Sequence, residues 1–238
     1  RLLDDLRGKT TLVRLAQTSG YSRFSIARWL KAEAEPTLPE LLKLIECASL
    51  RLLDFVASFV DPEALPSARA AWRVLSAARR AAYEQPWSHA VLRALELADY
   101  RALPRHRAGW LAARLAITRD IEQTSLELLE HAGQVRWTGS HYAPASEGLV
   151  DTRSDPERAR GLRAWWTEVN LKRLKQNGPG LFSYNLSAVS RRDLERIEAL
   201  QREHYREIVR IVSESSAAEC VVLYTAQLAE LAGDDQGR

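Results

Sequence analysis

Leu15-Ala16-Gln17-Thr18-Ser19-Gly20-Tyr21-Ser22-Arg23-Phe24-Ser25-Ile26-Ala27-Arg28-Trp29-Leu30 is the stretch on which the fold turns. Leu15 and Ala16 face inward from one helix, and the small Ala allows a close helix contact. Gly20 breaks that helix four residues later and supplies the turn. Ser22 is an N-cap residue for a following helix at about Arg23–Lys31, whose inward stripe is Ile26, Trp29 and Leu30. Pro36 stops the chain before the next element. Two short helices joined at a steep angle by a tight glycine turn let the second helix project into a DNA major groove.

Working outward, residues 1–60 read as five short helices. The first is Arg1–Arg7. The second is capped by Thr10 or Thr11 and runs to about Thr18. Arg23–Lys31, Pro39–Ala48 and Leu50–Val60 follow. The run Leu-Ala-x-x-x-Gly-x-Ser-x-x-x-Ile-x-x-Trp at 15–29, with a Pro seven residues on, resembles the Cro/phage-repressor (XRE) helix-turn-helix family over about residues 1–60. The resemblance implies a five-helix DNA-binding domain. Leu12 stands where that family often carries a Gln that contacts DNA. Leu30 and Ala32 replace the Glu and Gly that commonly follow the Trp.

Charge points the same way independently. Between Arg7 and Lys31 there are six basic residues (Arg7, Lys9, Arg14, Arg23, Arg28 and Lys31) and no acid. Acids flank the window at Asp4, Asp5, Glu33 and Glu35. A solvated helix face usually mixes signs, whereas phosphate binding needs one sign. Residues at the N-terminal end of the third helix meet base edges in this geometry. Arg23, Phe24 and Ser25 are therefore the expected base readers, beside the capping Ser22. Phe24 has two readings: contact with a thymine methyl, or packing on a neighbouring helix. Lys9, Thr11, Arg14, Arg28 and Lys31 are the expected phosphate contacts.

Residues 61–66 read as a linker, 67–231 as a dimerisation or regulatory domain, and 232–238 as a polar tail. The second domain is mainly helical: Ala68–Glu84, Trp87–Ala98, Ala108–Leu115 and Ile117–Ala132. Gln134–Ala143 then forms a hairpin around Thr138-Gly139. Helix, helix and hairpin over 108–143 make a winged-helix-like segment. Asp120, Glu122, Glu127 and Glu130 against one Arg119 put net negative charge where a phosphate wall would lie, so this segment is expected to pack or dimerise rather than bind DNA. A loop at 144–155 leads to a helix at Ala159–Gln176, ended by Asn177-Gly178-Pro179-Gly180. A small strand–helix–strand unit closes the chain: strand Leu181–Val189, a helix from the Ser190 cap to Ser213, and strand Cys220–Tyr224. These features, with Leu149–Thr152 and Val221–Leu228, resemble an uncharacterised bacterial family that follows helix-turn-helix segments in regulators. That implies a regulator's second domain.

The fold class expected is therefore mainly α. The chain has 238 residues, 46% of them hydrophobic and 27% charged, and a net charge of +3. This composition suits a globular protein, and the mild basicity permits nucleic-acid binding without demanding it. No apolar run reaches the ~18 residues of a membrane span. No secretory signal is read, and a cytoplasmic location is expected. Cys47 and Cys220 read as buried free thiols. Gly8-Lys9-Thr10 imitates a phosphate-binding loop, but Leu3 stands where such a loop needs its first Gly. His89, His106, His131, His141 and His204 show no metal-ligand spacing. Neither cofactor nor enzymatic activity is expected. Trp87, Trp110, Trp137, Trp165 and Trp166, with Tyr142, Tyr184 and Tyr205, either form the core of the second domain or line a pocket for an effector.

The reading is a sequence-specific double-stranded-DNA-binding regulator. It is expected to act as a homodimer on two half-sites, with a small-molecule or protein effector acting on its second domain. The alternative is an adaptor that uses the same helices to bind a protein.

Overall fold

A computed structural model describes residues 12–49, 52–145, 152 and 154–231. The protein is mainly α-helical, with eleven α-helices and one two-stranded sheet among the described residues. It forms two compact units, Arg1–Ser76 and Ala77–Arg238. The expected helix Arg1–Arg7 and the tail 232–238 lie outside the described residues.

In the first unit the helices are α1 (Leu12–Ser19), α2 (Arg23–Leu30), α3 (Leu38–Ser49) and α4 (Leu52–Ala57). α1 packs on both α2 and α3. Leu15, Ile26 and Leu44 are the buried centre, enclosed by Ala16, Tyr21, Trp29 and Leu30 among others. At the start of α3 the Glu40 carboxylate reaches back to Thr37, whose backbone N–H and hydroxyl both donate to Glu40 Oε2, at 2.7 and 2.8 Å. α4 is shorter than its apolar pattern suggests, because Ser58 at its end turns its hydroxyl back onto the Phe55 carbonyl at 2.6 Å. The segment read as a linker is ordered. Asp61 caps a 3-10 turn at Pro62–Ala64, and α5 (Pro66–Glu84) begins at Pro66, a residue suited to the first helical turn.

The second unit is centred on α6 (Trp87–Ala94), α7 (Ala98–Arg101), α8 (Trp110–Leu115) and α9 (Arg119–His131), followed by β1 (Val135–Trp137) and β2 (Tyr142–Pro144). α6 packs on α8 and α9, and α9 on β1. Val91, Leu95, Tyr100, Leu111, Leu126 and Leu129 are buried at the centre. The hairpin is antiparallel, with Arg136 opposite Ala143. α9 starts two residues later than its apolar pattern suggests, because the Thr118 hydroxyl caps it by accepting from Ile121 N at 3.3 Å. α10 (Pro156–Lys175) follows. It ends at Asn177, whose φ is +53°, and at Gly178, whose N–H donates to the Arg173 carbonyl at 2.9 Å.

The strand–helix–strand expectation is corrected. The helix is present as α11 (Arg191–Glu214), capped by Ser190. Residues 181–190 and 217–231 run without sheet pairing. The first carries the alternation that suggested a strand and the second the apolar run Cys220–Tyr224, but neither has a neighbouring strand in the described chain. The second segment is held by the Ala98 N–H, which donates to the Ala218 carbonyl at 2.8 Å, by Ala218 and Val221 against the core, and by side chains. Asn170 Nδ2 donates to Thr225 Oγ1 and Gln227 Nε2 to Thr167 Oγ1, both at 2.7 Å, and Arg191 pairs with Glu230 at 2.6 Å. Cys220, expected buried, is exposed in this segment, and Cys47 is half-buried.

Candidate nucleic-acid interface

The turn between α1 and α2 is built by local hydrogen bonds. Gly20 N donates to the Ala16 carbonyl at 3.0 Å, closing α1, and the buried Ser19 hydroxyl donates to the Leu15 carbonyl at 2.6 Å. Gly20 has φ +75°, where L side chains are strained. Ser22 then caps α2 by accepting from Ser25 N at 3.0 Å, while the Ser22 and Ser25 hydroxyls lie 2.9 Å apart. Ile26 has no exposed surface and holds α2 against α1. Trp29 stacks edge-on to Tyr21, with ring centroids 5.3 Å apart.

This packing leaves the first turn of α2 open. Arg23 is exposed, and Phe24 is 73% exposed. Among the described residues no neighbouring helix covers Phe24. Arg28, one turn on, sets its guanidinium 5.8 Å from the Phe24 ring centroid. Lys31 is also exposed, its Nζ 3.9 Å from Glu33 Oε1. An exposed pair at that separation binds weakly and is readily exchanged for another anion. Ser25 is half-buried with its hydroxyl on Ser22, so it serves the cap first. Lys9, Thr11 and the side chain of Arg14 lie outside the described residues. The structure therefore brings Ser22, Arg23, Phe24, Ser25, Arg28 and Lys31 together on one helix.

The second unit holds a polar centre that the sequence did not reveal. Glu122, counted above among the surface acids of α9, is 2% exposed. Its carboxylate accepts from Gly109 N at 2.9 Å and from Ala112 N at 2.6 Å, satisfying the open N–H groups at the start of α8. His106 Nε2 lies 3.9 Å from Glu122 Oε1, and His106 Nδ1 lies 3.1 Å from the Tyr100 hydroxyl. Tyr100 in turn accepts from Tyr142 N at 3.3 Å, tying the hairpin to the helices. Burial pushes the Tyr100 phenol up to about 12, and burial lowers His106, against the opposing pull of Glu122. The exposed acids of α9 are thus Asp120, Glu127 and Glu130, beside Arg119.

Trp87 packs edge-on to both Trp165 and Trp166, at 5.4 and 5.5 Å between centroids. Trp87 and Trp166 lean on the hydrophobic core rather than lining a cleft. An open cavity of about 540 Å³ lies instead beside Tyr100, Arg101, His141 and Tyr142.

Residues 67–229 match the family described as a domain of unknown function, DUF4423, and the chain belongs to that family. No curated protein and no solved structure matches the chain.

Proposed function

We propose that the protein is a sequence-specific regulator that binds duplex DNA through α2, with the DUF4423 region as its dimerisation or sensing part. The observation that carries the reading is the open first turn of α2. A capped helix, anchored by Ile26 behind a left-handed Gly20, presents Arg23 and Phe24 to solvent with Arg28 and Lys31 alongside. In this reading Arg23 grips guanine O6 and N7, worth roughly 1–3 kcal/mol of discrimination. Phe24 meets a thymine methyl. Arg28 and Lys31, with Lys9, Thr11 and Arg14, hold phosphates, and Ser22 and Ser25 fix the helix start. Two copies place their α2 helices in successive major grooves, about one helical turn apart. A small molecule in the cavity beside Tyr100 and His141 would adjust that spacing by favouring one dimer geometry.

The test is selection of bound sequences from a random duplex pool, run with wild type and Arg23→Ala together. An enriched motif that loses one position in Arg23→Ala is the expected result. A motif unchanged by the substitution removes Arg23 as a reader. Affinity for the enriched duplex should also fall steeply with salt, because some five to ten phosphate contacts per dimer release counterions. A flat salt dependence favours the adaptor alternative, in which the same helices meet an acidic protein surface.

A further inference from the structure

The cavity of about 540 Å³ in the second unit has the volume of a small-molecule site. Leu95 and Tyr100 wall it on the helical side, and Tyr142, Ala143 and Pro144 on the side of β2. Two residues of fixed charge, Glu96 and Arg101, also line it. Glu96 is already neutralised, since Arg93 Nη1 donates to both of its oxygens at 2.9 and 3.1 Å. Arg101, exposed at the end of α7, meets no carboxylate among the described residues. Asp99, two residues earlier, is taken by Arg114. The β2 wall adds acceptors. Thr138 N donates to the His141 carbonyl and Ala145 N to the Gln134 carbonyl, so residues 142 and 144 fall between ladder bonds and turn their carbonyls away from β1. On that outer edge the Tyr142 N–H is spent on the Tyr100 hydroxyl, and Pro144 has no N–H.

We propose that this cavity binds a small monocarboxylate with an apolar or aromatic body, the carboxylate on Arg101 and the body against Leu95, Tyr100 and Tyr142. The charge count selects the class. A guanidinium without a partner offers two parallel N–H donors that match a carboxylate. One free cation takes one negative charge. A second would meet Glu96 and the carbonyl dipoles of Tyr142 and Pro144. Glu127 and Glu130, which act on the Tyr142 phenol from α9, repel it as well. An amine would face Arg101 and find Glu96 already held by Arg93. A neutral ligand would leave the Arg101 charge without a partner as it displaced water from around it. The remaining walls are hydrocarbon and aromatic rings, which bind an apolar body by removing it from water.

Naming this ligand class rests on the reading of the cavity as the effector site of a regulator. Binding is measured without DNA, so a cavity that takes no carboxylate leaves the α2 contacts standing, and a failed DNA selection leaves the cavity's ligand standing. The full chain is titrated at pH 8, where an ordinary histidine such as His141 is neutral, and saturation-transfer NMR reads the bound probe. The probes are 3-phenylpropionate, 3-phenylpropionamide, 3-phenylpropylamine and phenylsuccinate, alike in body and different in charge. The propionate should bind with Kd below ~1 mM, within reach of a ligand of about eleven heavy atoms. The other three should bind at least ~tenfold more weakly, the cost of losing a charge-assisted pair or adding an unpaired charge. Arg101→Met keeps the stem and should bring the propionate down to the affinity of the amide, which itself should not change. Arg101→Lys should restore part of the difference. Ala145→Trp, at an exposed lining position, should abolish binding of every probe while far-UV dichroism stays native. No saturable binding of the propionate overturns the proposal. So does equal affinity for propionate and amide, or a propionate affinity that survives Arg101→Met or Ala145→Trp.

Discussion

Glu122 lies ten residues beyond Ala112 in the chain, yet its carboxylate accepts the Ala112 N–H at 2.6 Å from a position with almost no exposed surface. The same carboxylate takes the Gly109 N–H, so one side chain of α9 closes the N-terminus of α8. Glu122→Gln keeps the shape but replaces one acceptor oxygen by a donor that faces a donor. A buried N–H left without a partner costs about 1–3 kcal/mol, more where the lost acceptor was charged. Glu122→Gln should therefore lower the unfolding free energy of the second unit by that amount, read in urea as a lower midpoint with unchanged m. A midpoint equal to wild type would mean that the carboxylate is dispensable to the fold.

His89 on α6 carries a buried Nε2 that has no hydrogen-bond partner among the described residues, with Arg93 one turn on. Burial, and then Arg93, lower its pKa to about 4 from an ordinary 6.5. The unfolded chain thus takes up the proton first as pH falls. Stability is fully present above about pH 6.5 and is lost as pH falls towards 4, by roughly 2–3 kcal/mol from this group. His106, also lowered by burial, acts in the same direction. His89→Leu should flatten the slope of unfolding free energy between pH 6.5 and 4.5. A slope identical in wild type and His89→Leu would assign the acid sensitivity elsewhere.

The parts of this fold that were legible in the sequence are those set by near neighbours. Gly20, Ser22 and Ser190 act on groups within a few residues, so their roles follow from residue type and spacing. The stripe Leu15–Ile26 was legible for the same reason. Glu122 was not, because an acid on a helix reads as solvated unless its distant N–H donors are known. Residues 181–189 misled for a related reason: alternation shows that a segment suits a sheet, but a sheet also needs a second strand at the right place. Phe24 lay between these cases. Its position at the start of α2 was readable, but whether a neighbour covers it depends on packing.

Gly20 offers a direct test of the turn. A Cβ added there would meet no atom within 4 Å, so space is not the obstacle. Its φ of +75° is the obstacle, since the left-handed region costs an L residue about 1–2 kcal/mol. Gly20→Ala should destabilise the first unit by that amount. Gly20→Asn should recover part of the loss, because Asn tolerates the region better. Equal stability of all three would show that the turn relaxes to another conformation.

Phe24 separates recognition from folding most cleanly. It is 73% exposed, and its ring contacts the Arg28 guanidinium rather than the Leu15–Ile26 centre. Removing it deletes little buried surface, so Phe24→Ala should leave stability within about 0.5 kcal/mol of wild type, as surface substitutions usually do. A thymine-methyl contact would be lost, and with it the alignment of Arg28 over the ring. Affinity for the selected duplex should drop about tenfold, with a smaller drop for a duplex carrying cytosine at that position. Fluorescence anisotropy on the two duplexes, beside a thermal melt of each variant, makes the measurement. An equal drop on both duplexes would place Phe24 against the DNA backbone. A lowered melt with unchanged affinity would return it to the fold, and with it the case for α2 as the reading helix would weaken.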